Sequence, residues 1–394
     1  MGPPISNACD MRMFLTRPDW RPALEFLGFD QKASIEAMAA ALEISQSPTM
    51  LERLAILHTD LHTQSFTPGY WKNAASSAPL PERYLHLFPL LLRMNWLKDR
   101  YAERGIPEPV LKETLSDVWR WMQAFRERNG VTAVAEPGWL RLHFSARVFS
   151  LGRLQFEPTV LNDPIEVWRH QSGVSAILVS SGLIADNGFF ADSEGCSGMP
   201  ARSIRIEQDA FGIRGYPVLP SGRVSPVAVL LKPDAWNRVL GPGDPVAGVH
   251  IPAGSALDPS SCTASFEAAS SFFPRHFPEI PVRAAICHSW LCSPDLASLL
   301  PADANIVRFQ SRFHLYPIPG ANADQTYERV FPIHRRTLVQ EEIRSSLQKA
   351  LASYIGRGGI PLLGGGIITG TPQEWRSTPL PSALSDFPDC RLAG

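Results

Sequence analysis

A surplus of one charge is the first thing this sequence lacks: 37 Lys and Arg stand against 38 Asp and Glu in 394 residues, for a net charge of -1. No bulk field draws such a chain to nucleic acid or to an anionic membrane surface. Long apolar runs are missing too, none approaching the ~20 residues that cross a bilayer, and the first residues carry no basic segment followed by an apolar core and a cleavage site. The expectation is a soluble, cytoplasmic protein. Cysteine is sparse and scattered (Cys9, Cys196, Cys262, Cys287, Cys292, Cys390), with no CxxC pair and no Cys/His spacing of the zinc type. That predicts reduced thiols and no metal. Cys287 and Cys292 read as small buried hydrophobes. There is no internal repeat.

What is present is a change of period. Up to about Asn129 apolar residues recur every three or four positions, predicting helices over Ile35–Leu42, Met50–Leu61, Arg83–Arg104 and Glu108–Arg128. The last is the clearest, with Leu111, Leu115, Val118, Met122 and Phe125 in one stripe and Pro107 and Pro109 at its start. Trp119, Trp121 and Phe125 are expected to pack against the next domain. From Trp139 the pattern reads as strands: Trp139–Phe144, Ser150–Pro158, Val174–Val179, Arg202–Gln208 and Val227–Leu231, with a mobile loop over Gly182–Pro200 and a helix over Pro233–Leu240. The expected domains are 1–133, helical, and 134–370, α/β, followed by a disordered tail over 371–394.

Val246–Ile251 reads as a buried strand closed by Pro252, and a helix opened by Ser260 or Ser261 carries Phe266, Ala269, Phe272 and Phe273. A strand, a small-residue loop and a helix N-terminus can turn backbone N–H groups and a positive dipole end toward an anion, commonly phosphate; a plain helix cap is the alternative. Val282–Leu291 then reads as a second strand, Pro294–Leu300 as a short helix and Ile306–Ile318 as a long alternating strand. Tyr327–Phe331 reads as extended, Leu338–Ile355 as a helix, and Leu362–Ile368 as a last strand whose Gly364, Gly365 and Gly366 allow close backbone approach.

Leu151-Gly-Arg-Leu-Gln-Phe156, Gly243-Asp244, His250-Ile-Pro252, Ser289-Trp-Leu291 with Pro294, and Ser346-Leu-Gln-Lys-Ala350 together resemble an acyltransferase family with a helical N-terminal domain and a GNAT-like C-terminal domain. The resemblance implies a mixed, mostly antiparallel sheet flanked by helices. It also implies an N-acyltransferase in which a small-molecule amine attacks an acyl thioester directly, with no covalent enzyme intermediate.

Such a reaction needs donors for the pyrophosphate or phosphopantetheine, a polarised carbonyl and a base. The donor loop is then Ile251, Gly254, Ser255, Ala256, Leu257, Ser260 and Ser261. It has one glycine where typical GNAT loops have several after an Arg or Gln, which leaves room for an acyl carrier protein as well as acyl-CoA as donor. His250 and His288 are the candidate bases. Glu157 is a candidate to bind or deprotonate the amine, and it shares a strand face with Arg153 and Gln155, which together with Ser289 and Trp290 are expected beside the acceptor. Two rivals stand: a thioester-binding scaffold without turnover, and a thiol hydrolase using Cys287 beside His288.

Overall fold

The computed structural model describes residues 8–64, 67–331, 338, 343–375 and 390–393. Backbone contacts divide the chain into two compact units, one of Met1–Leu151 with Pro252–Gly254, the other of Gly152–Ile251 with Ser255–Gly394. The first unit is helical: α1 (Ala8–Thr16), α2 (Arg21–Phe26), α3 (Gln31–Gln46), α4 (Pro48–Thr63), α5 (Leu80–Tyr84), α6 (Leu87–Glu103), α7 (Glu108–Asn129) and α8 (Pro137–Phe144), then the short strand β1 (Phe149–Leu151). Local chemistry sets the boundaries. Asp30 caps α3 by accepting from Ala33 N at 2.8 Å, Ser47 caps α4 ahead of Pro48, and Gly130, at φ 73°, ends α7 in the left-handed region. Trp119 spends its ring inside this unit, 5.2 Å from Phe29 and under the Arg126 guanidinium.

Residues 139–144, read from sequence as a strand, are helical. Pro137 starts the turn, and Leu140, His143 and Phe144 then fall on one buried face. Trp139 and His143, one helical turn apart, both meet the buried Asp117: Trp139 Nε1 donates to Oδ2 at 3.0 Å and His143 Nε2 lies 3.2 Å from it. This segment carries the helical unit past residue 133 to Leu151.

In the second unit β2 (Leu154–Val160) leads to β3 (Ile165–His170), β4 (Ser175–Val179), β5 (Ser181–Ala185), β6 (Ala201–Arg205), β7 (Glu207–Gln208), β8 (Ile213–Pro217), β9 (Ala228–Leu231) and β10 (Trp236–Leu240). Then come β11 (Pro245–His250), α9 (Pro259–His276), β12 (Ala284–Ser289), α10 (Leu296–Leu299), α11 (Asn305–Gln310), β13 (His314–Tyr316), α12 (Asp324–Val330), α13 (Ser346–Gly356), β14 (Gly364–Thr369) and β15 (Cys390–Ala393). One sheet runs β2-β11-β12-β14-β13, a second β10-β3-β4-β8-β9-β15, and β5 pairs with β6. Val246, Ala284, Ile286, Tyr316 and Ile367 of the first sheet meet Ile165, Val167, Ile177 and Val179 of the second in one buried core. On the other face of the first sheet Phe156 packs edge-on to Phe266 and Phe273 of α9 and stacks with Trp375.

Several short segments depart from their sequence reading. Residues 306–318 divide into α11 and β13, because Gln310 turns inward to donate to Leu291 O and Ser293 O. Residues 327–331 fall largely in α12, whose Thr326, Tyr327 and Val330 are buried at helical spacing. A turn at Lys232–Ala235 delivers residues 236–240 as β10 against β3. Between 182 and 200 the chain is ordered by β5 and by the buried Phe189, Phe190 and Cys196. Leu338 is not helical and residues 339–342 lie outside the described residues; α13 starts where Ser345 and Gln348 form a reciprocal capping box. In the expected tail, Trp375 is packed and β15 pairs along β9 from Cys390↔Leu231 to Ala393↔Ala228, while residues 376–389 lie outside the description.

His314 gives the second unit an acid limit. Burial pushes its imidazole down to about 4 from 6.5, and its Nε2 has no partner among the described residues. A depressed folded value means that the unfolded chain binds the proton more readily. Stability is therefore full above pH 6.5 and falls as pH drops toward 4, at roughly 1.4 kcal/mol per pH unit. Urea midpoints across that window check it; His314→Gln should flatten the slope.

Candidate active site

β11 and β12 are parallel neighbours, yet their ladder consists only of Ala247 opposite Ala285 and Gly248 opposite Ile286. Past those pairs β11 stays on β2 as far as His250↔Gln155, and β12 stays on β14 as far as Ser289↔Gly364. The sheet thus opens between the carboxyl ends of its two parallel strands, the part of an α/β sheet where ligands commonly bind. Parallel partners point the same way and alternate residues share a face. His250 and His288, each two residues beyond the last pair, therefore lie on one face at the opening.

His250 Nε2 sits 3.2 Å from Glu157 Oε2. The imidazole is about one third exposed, whereas the Glu157 side chain is 11 % exposed. Gly248, directly opposite Glu157, explains how the ring lies over: a Cβ there would stand 3.4 Å from His250 Nε2 and 3.7 Å from Glu157 Cβ, so a larger side chain would occupy the space the ring uses. A carboxylate that accepts Nε2–H fixes the tautomer with its lone pair on Nδ1, the arrangement a general base requires.

His288 has a different setting. Its Nε2 is 2.8 Å from Asp163 Oδ2 and 3.1 Å from Tyr316 Oη, and Tyr316 Oη donates to the same Oδ2 at 2.9 Å. Burial first, and then the Asp163 charge, push the Tyr316 phenol well above its ordinary pKa, so it remains a donor. The cluster is made by register. Tyr316, Gly365 and His288 form one row across β13, β14 and β12, and a Cβ on Gly365 would stand 2.4 Å from the tyrosine ring. The bare glycine lets the ring cross β14 to reach the histidine. Its neighbours are equally constrained, Gly364 beneath the Cys292 carbonyl and Gly366 beneath Phe313. Asp163 and Tyr316 were not singled out from sequence; the turn-forming Asn162-Asp163-Pro164 was the one available signal for the former.

After β11 the chain passes through exposed Gly254, Ser255 and Ala256, with Ile251 and Leu257 half-buried. Arg153 is tied to this segment by its Nε, which donates to Ala256 O at 3.1 Å, and Arg153 N donates to Ser265 Oγ of α9 at 2.8 Å. The cap of α9 is Asp258: its Oδ2 accepts from Ser261 N at 2.9 Å and from Ser261 Oγ at 3.1 Å, and Ser260 Oγ also turns onto it. The hydroxyls of both serines are therefore bonded to a carboxylate at the helix N-terminus, the end whose backbone N–H groups were the expected anion donors. Asp258→Ala is expected to lower stability by removing this cap, read as a lower midpoint in chemical denaturation.

Gln155 is buried in β2 beside His250. Ser289 is buried and accepts from Leu291 N at 3.2 Å, and Trp290 packs with Leu296 and Leu351, its N donating to Gln325 Oε1 at 2.7 Å. Cys287 is buried on the face opposite His288, against Cys292, whose thiol is pushed well above its ordinary pKa by the Cys287 contact and by burial. That environment is inert for a nucleophile. Among the described residues no three His, Cys, Asp or Glu side chains are placed to hold a metal ion, and no helix is long and apolar enough to cross a membrane.

The family model for the GNAT-like C-terminal domain matches residues 148–368, and that for the N-acyltransferase N-terminal domain matches residues 18–146. The fold and these matches define a GNAT-like acyltransferase. More particularly, the chain belongs to the N-acyltransferase family in which these two domains are joined. Among solved structures it is similar to an acyltransferase in complex with decanoyl-CoA and teicoplanin (21 % identity, 90 % of this chain and 88 % of that chain covered, TM-score 0.62). It is also similar to an acyltransferase variant in complex with octanoyl-CoA (20 % identity, 90 % and 88 % covered, TM-score 0.62) and to an acyltransferase in complex with decanoyl-CoA (22 % identity, 92 % and 99 % covered, TM-score 0.59). At these identities the likeness fixes the fold. A sequence comparison with curated proteins gives no match.

Proposed function

We propose that this acyltransferase acts in the cytoplasm and moves an acyl group from acyl-CoA to an amine acceptor, with the His250–Glu157 pair as its base. The observation that carries the reading is the 3.2 Å contact of these two side chains at the opening between β11 and β12. The amine lone pair attacks the thioester carbonyl carbon, a C–N bond forms, and His250 takes the ammonium proton. The C–S bond then breaks and the thiolate leaves with a proton, for which His288, held by Asp163 and Tyr316, is the donor on the same face. Glu157 holds the imidazole and offsets its charge once protonated. The similar structures bound to octanoyl-CoA and decanoyl-CoA support a medium-chain donor, and the one that also holds teicoplanin supports an acceptor larger than a free amino acid.

One observation favours a second donor. Asp258 fills the N-terminus of α9 with negative charge, where a CoA pyrophosphate would otherwise be drawn. An acyl carrier protein presents the pantetheine arm without that group. Thermal shift with acyl-CoAs of rising chain length, with free CoA as control, followed by mass spectrometry with an amine panel, tests the reading. A shift that grows with chain length and an acylated amine are expected. Acylation by acyl carrier protein alone moves the donor assignment, and thioester binding with no acylated amine from either donor leaves a scaffold.

A further inference from the structure

The helical unit holds a buried cation that has no counter-ion among the described residues. Arg93 of α6 is 4 % exposed, and its one hydrogen bond among the described residues runs from Nη1 to Nδ1 of His62 on α4, at 3.2 Å. Its guanidinium lies 3.4 Å over the Trp96 ring, which fixes its plane. Its Nε–H has no partner among the described residues. One helical turn before His62, His58 is 6 % exposed, and among the described residues its Nδ1 also lacks a partner. Among the described residues neither Arg93 nor the two histidines form an ion pair with a carboxylate, and the neighbouring cations Arg93 and Arg100 add to the positive charge here. The acid nearest in sequence on α4, Asp60, is committed to Thr67 and to Trp71 Nε1. An isolated buried guanidinium is costly, and a ring face with a neutral imidazole replaces only part of its hydration.

We propose that Arg93 is the anchor of a carboxylate-binding site in the helical unit, with the carboxylate taken on the unpartnered Nε edge and His58 as a second donor. The planar guanidinium edge matches a carboxylate's two oxygens, and Trp96 and His62 hold that edge in place before the ligand arrives. The site is built from residues of the helical unit alone and does not depend on the assignment of the base.

Thermal unfolding of the full chain in sodium acetate, against sodium chloride and sodium phosphate at matched ionic strength, tests it. The midpoint is expected to rise with acetate beyond the chloride control. Arg93→Met, similar in volume and uncharged, should show the same midpoint in acetate and chloride, while Arg93→Lys, which keeps the charge and loses the planar edge, should need about tenfold more acetate. Acetate acting no better than chloride, phosphate acting in its place, or an acetate effect that survives in Arg93→Met each overturns the assignment. Should Arg93→Met not fold, the fluorine line of trifluoroacetate decides: broadening by the parent protein that acetate reverses supports the site, and an unbroadened line refutes it.

Discussion

His250→Ala is expected to fold as the parent does and to lose on the order of 10²–10⁴ in kcat, the usual contribution of a positioned general base. Donor KM should be little changed. The fold survives because the imidazole is a third exposed and its contact with Glu157 is not part of the sheet ladder. Glu157→Gln keeps the shape of the pair and removes its charge, so a smaller loss is expected. If the two act as one unit, the double variant loses no more than His250→Ala alone. Steady-state kinetics at saturating donor across pH read all three, and a folded His250→Ala protein with parental kcat would move the base elsewhere.

Gly365→Ala should damage both the fold and the His288 cluster with a single methyl group. Its Cβ would stand 2.4 Å from the ring of Tyr316, which is fully buried, so either the strands part or the ring leaves. Overpacking of this kind costs about 3 kcal/mol, read as a lower urea midpoint. The loss should be partly recovered in stability, but not in activity, by adding Tyr316→Leu, which relieves the crowding and removes the hydroxyl. Tyr316→Phe keeps the ring and isolates the contribution of the two hydrogen bonds at Oη.

The elements that were legible in the sequence are those long or pure enough in period for one reading to win: α3, α4, α6 and α7 by their helical stripes, and β4, β11, β12 and β14 by their apolar runs. Segments whose residues satisfy both periods were not. Residues 139–144 satisfy both periods, and only the meeting of Trp139 and His143 at Asp117 decides for a helix. In the site, His250 and Glu157 were within reach because each lies on a strand whose alternation shows its face. The partners of His288 were not, since Asp163 is 125 residues away and Tyr316 joins through a register across three strands. The acid at the start of α9 was readable: Asp258-Pro259 is a capping residue followed by proline in the first turn, a stronger signal than the serines behind it.

Seen as a problem in colloidal behaviour, the pairing of β15 with β9 acquires another meaning. β9 is four residues long and mostly buried, and it lies next to last in its sheet only because Cys390–Ala393 lies along its outer side. Without those four residues its outward N–H and C=O groups would form a bare apolar edge, the template on which a second molecule can add a strand. Deleting 390–393 would therefore be felt less in catalysis than in light scattering, as a concentration-dependent tendency to self-associate while the monomer still turns over.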